Sequence, residues 1–122
     1  MKTEFGRFVK EIRFKEKENL RQMAEHLEVS SSFLSAVEVG KKAVPKDWVE
    51  KISLIYSLNI KEQDELKNCI DKDSGKVIIN IENMETEKRD VLMLFARTIN
   101  TADQKTVAEL KEMLNKCKKN IL

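Results

Sequence analysis

Apolar residues recur every three or four positions through the first seventy residues, in short stretches separated by polar ones. In TEFGRFVKEIRFKE, Phe5, Phe8, Val9 and Ile12 fall on one face of a helix over 3–16. Asn19 and Gln22 then form an Asn-x-x-Gln variant of the capping box, which opens a second helix with Leu20, Met23, Ala24 and Leu27 inward. Ser30 is a good N-cap for a third helix running to about Glu38, with Phe33, Leu34 and Val37 apolar and Gly40 as its stop. Pro45 suits the first turn of a fourth helix carrying Trp48, Val49, Ile52, Ile55 and Tyr56. Asn59 caps a fifth, over about 61–70, that turns Leu66, Cys69 and Ile70 inward.

The polar run DKDSGK at 71–76 breaks this pattern, and the period changes after it. Residues 77–81, VIINI, are β-branched and short, which predicts a strand. A lone strand leaves its backbone groups unpaired. No second strand is visible elsewhere, so the same strand of another copy is the expected partner. Thr86 is expected to cap a helix bearing Val91, Leu92, Leu94, Phe95 and Ile99. Thr101 and Gln104 suggest a second capping box, opening a last helix to about Cys117 with Val107, Leu110 and Leu114 apolar. These two helices read as a hairpin whose one-sided apolar faces need covering. The chain thus divides into 1–72 and an assembly module at 73–122. In that module Val77, Ile79, Ile81, Leu92 and Phe95 are the expected dimer contacts.

Residues 19–40 place two short helices around a turn of about three residues, the pattern of a helix-turn-helix whose second helix enters the major groove of DNA. Ala24 fits the steep crossing, and Leu27 and Val29 pin the turn to the core. The stretch LRQMAEHLEVSSSFLSAVEVGKK resembles the XRE (Cro/phage-repressor-like) helix-turn-helix family, and the similarity takes in Arg13 and the Pro45-led helix, covering roughly residues 4–60. The tail from Val77 is more loosely similar to extensions of some bacterial and prophage members. The implied fold is mainly α: a five-helix, phage-repressor-like domain, one short β-strand and a two-helix C-terminal dimerisation module.

The resemblance implies roles. Ser31, Ser32 and Ala36, with Ser35 beside them, fall where the family places base-reading side chains; hydroxyls bond base edges or phosphates, and an alanine can touch a thymine methyl. Gln22 and Ser30 match positions that bond phosphates through a side chain and a helix N-terminus. Lys41 and Lys42 sit on the loop expected along the DNA backbone, with Lys46 reaching the same strand or its minor groove. Arg13 and Glu38 match a structural ion pair that bridges the first and third helices. Glu28 stands where glycine is usual between the two helices, and Glu18 where an apolar residue is usual. The recognition face lacks the Arg, Gln or Asn that make bidentate base contacts, so DNA shape and water-mediated contacts are expected to supplement direct readout.

Composition narrows the alternatives. The apolar fraction is 41%, with one Pro and three Gly, which favours helices over long loops. Net charge is +2, the first half being the more basic. No apolar run approaches the roughly 18 residues of a membrane span, and no basic-plus-apolar leader is present; a cytoplasmic protein is expected. Cys69 and Cys117 read as reduced, mostly buried thiols, and His26 as an exposed helix residue without a carboxylate partner. No Gly-rich phosphate loop, nucleophile with a nearby base, or ligand cluster stands out, so no enzyme, cofactor or metal is expected. The leading expectation is a sequence-specific, homodimeric regulator of transcription. It would be a repressor of a bacterial, prophage or mobile-element operon, reading a two-fold site on double-stranded DNA with its third helix. The alternative is an antitoxin-like or adaptor protein whose C-terminal module holds a protein partner while the helix-turn-helix autoregulates its operon.

Overall fold

The computed structural model describes residues 3–121, with side chains as far as Lys118. The described residues are mainly α-helical. They form α1 (Glu4–Glu16), α2 (Leu20–His26), α3 (Ser31–Glu38), α4 (Trp48–Ile55), α5 (Ile60–Ser74), α6 (Thr86–Thr98), a 3-10 turn at Ile99–Thr101, and α7 (Gln104–Ile121). They divide into two compact units, Met1–Val77 and Ile78–Leu122.

In the first unit each helix boundary has a local cause. The Thr3 hydroxyl accepts from the Gly6 N–H and starts α1, which ends where Lys17 turns left-handed at φ 57°. Asn19 with Gln22, and Asn59 with Glu62, close full capping boxes at α2 and α5. Ser30 caps α3 through the Phe33 N–H. Each such cap is worth about 1 kcal/mol. Pro45 lies ahead of α4 rather than within it, its carbonyl accepting from the Trp48 N–H at 3.1 Å. α5 runs past the expected 70 to Ser74, and Gly75 at φ 69° ends it. Its last turn is used elsewhere: the two carboxylate oxygens of Asp73 accept from the Glu4 and Phe5 N–H groups, both at 2.9 Å, and so cap α1. The first compact unit runs to Val77.

The apolar stripes meet in one core. Phe5, Val9, Met23, Leu27, Leu34, Ile52 and Leu66 are each no more than 1% exposed. Burying a side chain of this size contributes about 1.5–3 kcal/mol. Trp48 lies between Phe5, with ring centroids 6.1 Å apart, and Phe33, edge-on at 5.9 Å. Helix α1 packs on α5 and α3, α2 on α3, and α4 on α5. Ile55, expected inward, is exposed.

The second unit departs further from expectation. Residues 77–81 form no strand, and none occurs among the described residues; a single β-prone run has no ladder to join. Glu85 rather than Thr86 precedes α6, with no side-chain cap. Thr101 closes the 3-10 turn by donating to the Thr98 carbonyl, and Asp103 performs the capping expected of Thr101, accepting from the Thr106 N–H at 2.8 Å. The expected hairpin is loose, with little contact between α6 and α7 along their lengths. No side chain described in this unit is buried: Leu92 and Ile81 are half-buried, Phe95 is exposed, and Val77, just before the unit, and Ile79 are exposed as well. Cys117, expected buried, is exposed, whereas Cys69 is buried.

Candidate nucleic-acid interface

The first unit presents one polar face built around α3. Leu34 and Val37 point into the core, so Ser31, Ser32, Ser35 and Ala36 share the opposite side, Ser32 and Ser35 exposed and the other two half-buried. Together with Leu20, Val39 and Lys41 these four residues line one shallow depression. The chain returns to it because Gly40, at φ 86°, reverses direction after α3. The Lys41 and Lys42 N–H groups then both donate to the Ala36 carbonyl, at 2.9 and 3.2 Å. Both lysine side chains are exposed.

Two further residues sit at helix starts near this face. The Ser30 Oγ accepts from the Phe33 N–H at 3.0 Å, which leaves the hydroxyl proton to donate outward. The Gln22 Oε1 accepts from the Asn19 N–H at 2.8 Å, so its amide Nε2 is not used by the capping box. Lys46 is not gathered with these residues. It lines a separate depression with Val49, Ser53, Gln63 and Lys67, on the α4–α5 side of the unit.

Besides Leu34 and Val37 in the core, polar contacts hold α3 in place. The Arg13 guanidinium donates to both carboxylate oxygens of Glu38, at 2.6 and 3.0 Å, and lies 3.3 Å from the Met23 sulfur. The two side chains are only 8% and 12% exposed, so this ion pair is shielded from water. At the same end of α3 the Thr3 hydroxyl donates to the Glu38 carbonyl at 2.6 Å. Helix α1 comes so close here that a Cβ on Gly6 would collide with that carbonyl oxygen. No family model, curated protein or solved structure matches the chain.

The turn between α2 and α3 is made by a non-glycine left-handed residue, Glu28 at φ 60°. Such a residue costs about 1 kcal/mol. Glu18, which stands where an apolar residue is usual, is partnered on both sides. It accepts from the Tyr56 hydroxyl at 2.7 Å and lies 3.3 Å from His26 Nε2. His26 therefore has a carboxylate neighbour that its sequence context does not reveal, and its ring meets Tyr56 edge-on at 6.3 Å. Burial first, and then the hydrogen bond and charge of Glu18, push the Tyr56 phenol above its ordinary value near 10. These contacts tie the α1–α2 loop and the end of α2 to the end of α4. Among the described residues no cluster of His, Cys, Asp or Glu is placed to hold a metal ion. None of their helices is long and apolar enough to cross a membrane.

Several of these contributors leave little trace in the sequence. Gly6 inside a helical pattern is the available signal, since a mid-helix glycine often marks close packing. Thr3 three residues before Gly6 has the composition of an N-cap. Asp73 and the Glu18–Tyr56 contact join residues far apart in the chain and carry no local signal.

Proposed function

We propose that this protein is a sequence-specific DNA-binding regulator of transcription of the XRE helix-turn-helix kind, acting as a homodimeric repressor of a bacterial or mobile-element operon. The observation that carries the reading is the serine-lined depression. Ser31, Ser32, Ser35 and Ala36 of α3, whose other side is locked into the core, line one accessible surface together with Lys41, Leu20 and Val39. On this reading α3 enters the major groove, where hydroxyls reach base edges and Ala36 meets a thymine methyl. Ser30, Gln22, Lys41 and Lys42 bond phosphates and set the register, while Lys46 contributes at the margin. The Arg13–Glu38 pair fixes the angle of α3 and touches no DNA. One such helix reads few base pairs, so two linked copies reading half-sites about one helical turn apart supply the specificity. The exposed apolar side chains of residues 77–117 favour a module that joins the copies.

The test is binding to DNA from the protein's own upstream region, followed by fluorescence anisotropy over a salt series. The expected result is a two-fold site, with Ser32→Arg abolishing or re-targeting recognition. Lys41→Ala with Lys42→Ala should weaken all sequences alike and lower the salt slope by about two. Weak, sequence-blind binding with a steep salt dependence would overturn the reading. The antitoxin or adaptor reading then takes its place, favoured by residues 77–79, which are apolar, exposed and outside any helix, as a segment that pairs with a partner's strand requires.

A further inference from the structure

The apolar positions of α7 have a spacing tighter than an ordinary amphipathic helix. Val107, Leu110, Leu114 and Cys117 follow one another at intervals of three, four and three, and in the sequence the next apolar position on this spacing is Ile121. That is the a/d alternation of a coiled-coil seam, with Val107 and Leu114 at a and Leu110 and Cys117 at d. A core-facing helix would carry a wider stripe, whereas here Met113, at g, is the one large apolar residue flanking the a/d positions. Here Val107 is 42% exposed, Leu114 62%, Cys117 is exposed too, and Leu110 is half-buried.

We infer that α7 is a parallel two-stranded seam whose occupant is α7 of a second copy of this chain, in register, so that Cys117 faces Cys117 across the two-fold axis. The inference rests on the homodimer reading above and adds its geometry. A knob at a or d fills a hole made by the same kinds of residue on the facing helix, so the seam is complementary to itself. A β-branched residue at the first a position with leucine at the next d favours two strands. The flanks choose the direction. In a parallel pair e faces g of the other strand, which puts Lys111 and Lys118 opposite Thr106 and Met113. An antiparallel pair would set e against e and bring Lys111 against its own copy, like charge on like. In the parallel pair the Lys118 stem instead lies over Met113, an apolar residue 60% exposed in the single chain. The seam spans only about two heptads, so it acts with the apolar faces of α6 and not alone.

The experiment uses the full chain, a short bismaleimide as thiol crosslinker, and light scattering on the same samples. Cys69 is buried, so Cys117 is the thiol expected to react. The expected result is a dimer by scattering and a covalent dimer on a denaturing gel that Cys117→Ser abolishes. Val107→Cys in the Cys117→Ser background should restore it, because position 107 also faces itself in a parallel seam. Leu114→Lys should weaken the dimer at least a hundredfold while Trp48 fluorescence stays native. A dimer that crosslinks only when Val107→Cys is combined with the native Cys117 overturns the parallel arrangement; antiparallel helices hold like positions about 15 Å apart along the axis. A dimer that gives no crosslink at either position overturns the seam and leaves the homodimer reading standing. A monomer at high micromolar concentration overturns both.

Discussion

The two halves of this chain have similar helix content and opposite burial. In Met1–Val77 the apolar stripes of five helices converge on thirteen buried apolar side chains, whereas in Ile78–Leu122 no described side chain is buried. The amphipathic pattern of the sequence is comparable in both. What differs is the number of helices available to cover one another: five short elements enclose a volume, and two do not. The same signal, an apolar face on a helix, therefore means a core in one half and an uncovered apolar surface in the other.

The comparison predicts that truncations should act differently in the two halves. The largest expected effect is at Phe5, 1% exposed and packed on Trp48: Phe5→Ala should lower the stability of the first unit by about 4 kcal/mol. The loss, read from Trp48 fluorescence in urea, should not depend on protein concentration. Leu114→Ala in α7 should leave that transition in place. If both substitutions move it equally, the two halves are not separate in the way described.

Arg13→Ala comes next. It strands Glu38 almost out of reach of water, at a cost of about 3 kcal/mol, and Arg13→Ala with Glu38→Ala should recover part of that loss. A single substitution no worse than the double would show that the pair is not acting as a shielded unit. Gly6→Ala should cost about 2 kcal/mol, because the new methyl drives α1 away from the Glu38 carbonyl. If α3 reads DNA as proposed, DNA binding by that variant should fall further than its stability accounts for, since Glu38 also holds α3 to α1 through Arg13.

The smallest effect is a pH dependence. The Tyr56 phenol is neutral in the folded state to higher pH than in the unfolded chain. Stability from this group is therefore fully present below the ordinary phenol range and declines as pH rises above about 10, where the unfolded state sheds its proton first. Tyr56→Phe should flatten that decline while losing the hydrogen bond to Glu18. An unchanged slope in the variant would mean that Tyr56 is not its source.

Much of the first unit is legible because its signals are local. The capping box at Asn19, the Asn59 and Ser30 caps and the Gly40 stop each depend on residues within a few positions, and all four occur as the spacing predicts. The serine face of α3 is equally local: once α3 is a helix with Leu34 and Val37 inward, Ser32 and Ser35 must face out. The caps of α6 and α7 differ from the expected ones by one or two residues because Thr86, Thr101, Glu85 and Asp103 offer competing starts within short polar stretches. The strand expected at 77–81 is missing for a different reason. β-branched composition records a preference, but a strand exists only when another backbone pairs with it.

Where the helices of the first unit begin, and which of their faces are apolar, follows from residue order alone, because hydrogen bonds three or four residues apart set both. The a/d spacing of α7 is fixed in the same way. Packing in three dimensions was needed to make Asp73 cap α1, to bring Glu18 to Tyr56 beside His26, to let Gly6 admit Glu38 at close range, and to set Lys46 apart from the serine face. Each of these joins or separates residues distant in the chain, and such relations arise only when the core has brought their helices together.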